Sequence, residues 1–192
     1  MSGRVFVLIG PSGAGKTSLV KKAKACGIAE PIITCTTRVP RPDEVDGVDY
    51  HFLSLTRFNQ LFESGELAER EKIHGNWYGT PITSLADALT QEKTAIIAMG
   101  FAGAKLVKAR WPQQVSLVFV MPPSIDALYQ RLKHRGTDGE ELDMRLDRRR
   151  IAQELALDEM ADFVIHNDDL DQAFNALCTI CDSSKAFHHP ID

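Results

Sequence analysis

The chain lacks the features that mark disulfide-built, membrane-spanning or repetitive proteins. Its 192 residues include four cysteines, which are too few and too irregularly spaced for a disulfide framework. No apolar run approaches the roughly 18 residues that cross a bilayer, and the run Val5–Ile9 is too short for a signal-peptide core. We also find no internal repeat and no low-complexity segment. These absences predict one globular domain in the cytoplasm.

Excess positive charge is missing as well. Lysine and arginine number 22 against 26 aspartate and glutamate, which gives a net charge of -4. This balance argues against a nonspecific nucleic-acid binder and against a membrane-surface protein. The expected partners are therefore small molecules, with no nucleic acid and no membrane, and the expected assembly is a monomer or homodimer.

One cysteine pair, Cys178 and Cys181, has the CxxC spacing of a redox or metal half-site. No second pair completes a zinc tetrahedron, and the pair falls within apolar positions at helical spacing. We expect both thiols to face the core from a helix.

Apolar runs alternate with segments of helical periodicity, which is typical of an α/β protein with a parallel sheet flanked by helices. Predicted strands are Val5–Ile9, Ala95–Met99, Val115–Met121 and Phe163–Ile165. Predicted helices are Lys16–Cys26, Thr83–Thr90, Gly103–Arg110, Ser124–Lys133, Glu140–Met160 and Leu170–Cys181.

Residues 33–80 break this alternation and read as short strands around a helix near Thr56–Ser64, with a hairpin-like turn at His74-Gly75-Asn76. We interpret them as a mixed β/α lobe inserted at the carboxyl ends of the strands, where open α/β sheets bind ligands. The arginine-rich stretch 134–149 reads as a small lid. The predicted single domain thus has a core of 1–32, 81–133 and 150–192, a lobe of 33–80 and a lid of 134–149.

The segment between the first strand and the first helix has the form GxxxxGKT. Its glycines allow successive backbone N–H groups to point at one anion, next to the positive end of the helix. Lysine adds a charge for the outer phosphates, and the threonine hydroxyl can bind Mg²⁺. The motif predicts nucleoside triphosphate binding by Gly10, Ser12, Gly13, Ala14, Gly15, Lys16 and Thr17, with Thr17 as the metal ligand.

The inserted lobe contains a second ordered set of polar residues. It reads TTRVPRPDEVDGVDYHF from Thr36 onward, followed by a glutamate and then Tyr78-Gly79-Thr80. Two arginines three apart with nearby phenols suit a phosphate, because guanidinium groups bind its oxygens bidentately. Together with the phosphate loop, Arg131-Leu132, Arg135-Gly136, Arg145-Leu146 and Asn167-Asp168, this set resembles the guanylate kinase family over nearly the whole chain.

The resemblance implies an ATP-dependent transfer of phosphate to GMP with Mg²⁺. It assigns the GMP phosphate to Arg38, Arg41, Tyr50 and Tyr78, the guanine N1–H and amino protons to Glu69, and the base edge to Thr34 and Thr80. On the ATP side it implies Arg131 near the donor and Asn167 with Asp168 beside adenine. The residues that would act on the transferring phosphate are Lys16, Arg38, Arg135 and Arg145.

One element of the family pattern is missing. Guanylate kinases carry roughly LDIDxQG after the central strand, whereas this chain reads Ile97-Ala98-Met99-Gly100-Phe101-Ala102-Gly103. The first missing carboxylate helps hold Mg²⁺ in the family and the second helps organise the acceptor side. Loss of such an outer group commonly costs about 10- to 100-fold in metal affinity or activity, so reduced activity is expected.

Three functions remain open at this level. The chain is an ATP:GMP phosphotransferase, a related kinase with another phosphorylated acceptor such as ribose 1,5-bisphosphate, or a catalytically weak nucleotide sensor. The retained TTRxPR segment favours a nucleotide acceptor, and the complete phosphate loop disfavours the sensor.

Overall fold

The computed structural model describes residues 3–73, 75–91, 93–134, 151 and 154–186. Its strands are β1 (Arg4–Ile9), β2 (Glu30–Pro31), β3 (Cys35–Thr36), β4 (His51–Phe52), β5 (Leu67–Ile73), β6 (Asn76–Pro81), β7 (Thr94–Ala98), β8 (Val115–Met121) and β9 (Phe163–His166). Its α-helices are α1 (Lys16–Ala25), α2 (Leu55–Glu63), α3 (Ile82–Thr90), α4 (Phe101–Arg110), α5 (Ile125–His134) and α6 (Leu170–Ala186).

The central sheet has the order β2-β7-β1-β8-β9, and its strands pair in parallel. Strand β1 is buried on both faces because its side chains alternate between two apolar layers. Phe6 and Leu8 pack into one layer with Leu19 of α1. Val7 packs into the other layer with Leu85 of α3. The predicted parallel sheet flanked by helices is therefore confirmed.

The four predicted strands agree with the structure to within one residue at each end. Strand β2 was not predicted. It contains only Glu30 and Pro31 and pairs with one edge of the sheet through β7. Two residues cannot show an alternating pattern, and proline is tolerated only at such an edge.

Predicted helix starts and ends also agree closely, except at the carboxyl side of the chain. Helix α6 continues to Ala186 rather than stopping at Cys181. Most of the predicted helix Glu140–Met160 lies outside the described residues. Its last part, Ala156–Met160, is a 3₁₀-helix rather than an α-helix, a tightening that is common at helix ends.

The inserted segment forms a second, mixed sheet with the order β4-β3-β6-β5. Strands β5 and β6 are antiparallel, and β3 joins β6 antiparallel and β4 parallel. Helix α2 begins after Ser54, whose Oγ accepts a hydrogen bond from Arg57 N, and it places Phe58 against Leu67 in a small core. Gly75 has φ +82° at the predicted turn, while His74 lies outside the described residues.

The cysteine prediction is confirmed for the helix α6 pair. Cys181 is fully buried and Cys178 packs against the same apolar layer, and all four cysteines are free thiols. Within the described ranges, no helix is both long and apolar enough to cross a membrane.

Candidate active site

The loop between β1 and α1 curls because three of its glycines have positive φ angles, at +134° for Gly10, +87° for Gly13 and +103° for Gly15. Residues that carry a side chain rarely adopt positive φ angles. A Cβ on Gly10 would also lie 2.6 Å from the carbonyl oxygen of Val120. Gly15 is the residue that immediately precedes helix α1, so the amino-terminal turn of the helix opens at the loop.

The ammonium group of Lys16 lies on this loop. Its Nζ donates to the carbonyl oxygens of Gly10 at 2.6 Å and Pro11 at 3.0 Å. The lysine therefore places positive charge on the phosphate loop itself.

Asn167 supports the loop from beneath. Its Nδ2 donates to the carbonyl oxygen of Ala14 at 2.6 Å, and a Cβ on Gly15 would collide with that nitrogen. Arg131 Nη2 donates to the backbone oxygen of Asn167 at 2.9 Å. These two side chains thus brace the phosphate loop, a role that the sequence did not reveal, and their contact with a donor base stays a prediction.

A single cavity of about 390 Å³ brings the loop and the inserted lobe together. Sequence-predicted residues along its wall are Gly10, Ser12, Gly13, Gly15, Lys16, Thr17, Thr34, Arg38, Arg41, Tyr50, Glu69, Tyr78 and Thr80. Ala14 and Asn167 are buried behind the loop, and Asp168 is exposed. Arg135 and Arg145 lie outside the described residues.

The two lobe arginines are held by one carboxylate. Arg38 Nη2 donates to both oxygens of Glu44 at 2.8 Å, and Arg41 Nη1 reaches Glu44 Oε1 at 3.4 Å. The Glu44 side chain is only 6% exposed. Glu44 therefore fixes the guanidinium groups in advance of any ligand, and its position three residues after Arg41 is the sequence signal that identifies it.

The phenols complete this cluster. Arg38 Nε donates to the Tyr78 hydroxyl at 3.3 Å, and the rings of Tyr50 and Tyr78 meet edge to face at 6.1 Å. Burial raises the pKa of Tyr50, so the phenol remains a neutral donor at physiological pH. Guanidinium and phenol groups together form an anion clamp, defined as Arg38, Arg41, Tyr50 and Tyr78.

Behind the clamp lies a buried carboxyl group. Glu69 is 5% exposed, and its Oε1 accepts from the Thr80 hydroxyl at 2.7 Å. Burial raises its pKa to about 7, with a smaller contribution from the charge of Glu71. Thr34 is also buried at this end of the cavity. A buried carboxyl group paired with a hydroxyl group on the wall of a cavity suits a planar group with several N–H donors.

Sequence reasoning missed Glu71, which lines the same cavity. It is two residues from Glu69 on β5, and residues so spaced on a strand share one face. Positions Ala98 and Gly100 also lie on the cavity wall, so the missing carboxylates would have pointed into the same space.

The residues present are compatible with Mg²⁺ that arrives with a nucleotide. Across the part of the chain that the structure describes, no group of three or more histidine, cysteine or acidic side chains is arranged to hold a metal. Thr17 lines the cavity beside Lys16. Mg²⁺ in kinases keeps several waters and binds mainly through substrate phosphates with one or two protein ligands, which is the donor set that this wall offers.

Fold and cavity define the class: a phosphate-loop kinase fold with an inserted mixed β/α lobe. The sequence model of the family described as guanylate kinase matches residues 2–184. The chain belongs to the guanylate kinase family.

Individual relatives agree with this assignment. The guanylate kinase of Thiobacillus denitrificans is 38% identical over 95% of this chain and 87% of its own length. That of Bordetella pertussis is 37% identical over 96% of this chain and 85% of its own. The crystal structure of guanylate kinase from Anaplasma phagocytophilum superposes with a TM-score of 0.79 at 27% identity, over 95% of this chain and 86% of that one.

Proposed function

We propose that this chain transfers the γ-phosphoryl group of ATP to the phosphate of GMP, giving ADP and GDP. The main support is that one cavity is lined by a main-chain phosphate loop with Lys16 and by the anion clamp. A phosphoryl group can pass directly between two phosphates only if both are held in one enclosed space.

The acceptor needs no general base under this proposal. The second pKa of a phosphate monoester is about 6, so GMP is largely dianionic at neutral pH and its oxygen attacks without losing a proton. Arg38 and Arg41 would hold that phosphate, and Glu69 with Thr80 would accept guanine donors. Adenine presents an unprotonated ring nitrogen where guanine has N1–H, so an ionised Glu69 would reject AMP.

On the donor side, the loop N–H groups and Lys16 would stabilise the negative charge of the transferring oxygens. Thr17 and the ATP phosphates would hold Mg²⁺, which adds further neutralisation when bound. The proposal also assigns donor binding to Arg131, Asn167, Asp168 and the lid arginines. It keeps the division of the domain into core, lobe and lid and a location in the cytoplasm.

The burial of Glu69 and Thr80 favours a nucleobase over a sugar phosphate. A bare sugar phosphate offers hydroxyl groups but no adjacent pair of N–H donors for a carboxylate of this kind. The related-kinase alternative, with ribose 1,5-bisphosphate as acceptor, therefore receives no support from this end of the cavity.

The test is an acceptor panel with ATP and Mg²⁺. We expect GDP from GMP and far slower reaction with AMP, CMP or ribose 1,5-bisphosphate. Lys16→Ala should reduce the rate about 10²- to 10³-fold, as removal of one transition-state donor does, while the exposed Lys24→Ala serves as the matched control. A faster acceptor than GMP, or no transfer at any enzyme concentration, would reject the proposal.

A further inference from the structure

The wall at the end of β7 has no acidic side chain of its own, yet a carboxylate occupies the space above it. A Cβ built on Gly100 would collide with Oε2 of Glu71 and lie 2.8 Å from Oε1. The backbone of Gly100 is extended, with φ -73° and ψ 163°, a conformation that any residue adopts. A side chain at this position would therefore have to displace the Glu71 carboxylate, so the occupied space, rather than backbone strain, favours a glycine here.

The Glu71 carboxylate lies at the amino-terminal turn of helix α4. Gly103 N donates to its Oε2 at 3.3 Å, and α4 has no acidic residue in its own first turn. Free N–H groups and the positive end of the helix dipole favour an anion at this position. Glu71 supplies that anion from strand β5, which packs against α4.

Glu69 converges on the same helix turn. A Cβ on Gly103 would lie 2.8 Å from Glu69 Oε2, so the two carboxylates lie against the two glycines at the start of α4, Gly100 and Gly103. The charge of Glu71 also contributes to the raised pKa of Glu69. Two acceptors thus lie side by side at the end of the cavity assigned to the base.

The chemistry of guanine calls for two such acceptors. Its edge presents three N–H donors in a row, one on N1 and two on the 2-amino group. Under the proposed function, Glu69 accepts N1–H and one amino proton, so the second amino proton needs a further acceptor. A buried donor without an acceptor costs binding energy.

Resting on the function proposed above, we propose that Glu71 is the second guanine acceptor and reads the 2-amino group. Its carboxylate takes the acceptor-side place left empty by the glycine at position 100. Hypoxanthine keeps N1–H but lacks the amino group, so Glu71 discriminates GMP from IMP.

The experiment measures kcat/KM with GMP and with IMP for the wild type, for Glu71→Ala and for the exposed control Glu63→Ala. We expect Glu71→Ala to lower the GMP value about 10- to 100-fold, the usual weight of a hydrogen bond to a charged group. The IMP value should change by less than about threefold, so the GMP-to-IMP ratio falls. Glu71→Gln keeps the side-chain shape and should move the ratio the same way by a smaller factor.

A second set of variants moves the carboxylate from position 71 to position 100. Gly100→Asp alone should lower activity with both substrates, because its side chain meets Glu71. Combined with Glu71→Ala it should restore the GMP-to-IMP ratio towards that of the wild type. Equal losses with GMP and IMP in the Glu71 variants, or an unchanged ratio, would overturn the inference while leaving GMP kinase activity intact. Absence of GDP formation by the wild type would instead overturn the proposed function.

Discussion

The two halves of the cavity are built in different ways. The phosphate loop is one contiguous stretch, Gly10 to Thr17, and its shape is set by backbone angles at positive-φ glycines. The half formed by the inserted lobe is assembled from Thr34, the loop between β3 and β4, and strands β5 and β6, and its polar side chains are held by other side chains. A main-chain site depends little on side-chain identity, whereas a side-chain site fails or changes when one partner is replaced.

The largest effect that would sharpen this comparison is expected from Glu69→Gln. The variant presents an amide donor to guanine donors and loses two charge-assisted hydrogen bonds, so kcat/KM for GMP should fall about 100-fold. In the wild type, kcat/KM should rise as pH increases through about 7, where Glu69 ionises. The variant should lack that step. An identical pH profile in both proteins would contradict the role of Glu69, and exposed Glu66→Gln provides the control.

The same substitution is expected to stabilise the fold at alkaline pH. The pKa of Glu69 rises from 4.5 to about 7 on folding, so the stability that the neutral carboxyl gives below pH 4.5 is lost as pH rises through 7. The amide introduced by Glu69→Gln stays neutral at every pH, so the variant keeps that stability. In urea unfolding, the variant should gain about 3 kcal/mol on the wild type between pH 4.5 and pH 8. Parallel stability curves would show that Glu69 is not buried as described.

A smaller effect is expected from the residue that holds the clamp. Glu44→Gln removes the paired oxygens that fix Arg38, so the guanidinium groups must be ordered by the ligand. KM for GMP should rise about 10-fold, with kcat and KM for ATP nearly unchanged. Exposed Asp43→Asn is the control. Tighter GMP binding by Glu44→Gln would mean that the carboxylate competes with phosphate instead of positioning the arginines.

The smallest effect is expected from Asn167, which supports the phosphate loop from outside it. Asn167→Ala removes the bond to the Ala14 carbonyl, while the glycine conformations and the helix start remain. KM for ATP should therefore rise only about threefold, the weight of one neutral hydrogen bond, and KM for GMP should not change. His166→Ala, on an exposed neighbour, is the control. A loss as large as that of Glu69→Gln would abolish the contrast between the two halves.

The sequence predicted much of this structure because its signals are local. The apolar runs of β1, β7, β8 and β9 and the GxxxxGKT spacing need only their own neighbours in the chain. The lobe residues were assigned through family resemblance, since spacing alone does not bring Arg38 to Tyr78 or Glu69 to Thr80. Strand β2 was not predicted because two residues are too few to show an alternation of apolar and polar side chains.

Glu44 and Glu71 show where prediction from sequence ended. Glu44 is marked only by its spacing from Arg41 and Glu71 only by its spacing from Glu69, so the role of each depends on which groups it meets. Strand pairing between β5 and β6 and the packing of α4 on β5 decide that Glu71 lies against Gly100 and Gly103. Without those long-range contacts, the aspartate missing at position 100 reads as a loss rather than as a space that Glu71 fills from strand β5.

The order of residues alone determined the parallel core and the phosphate loop, because hydrophobic period and glycine backbone freedom act over a few residues. Only the tertiary structure decided which carboxylates share a cavity, how far the pKa of Glu69 rises and what braces the loop. Those properties follow from burial and from distances between residues far apart in the chain, and no local pattern records them.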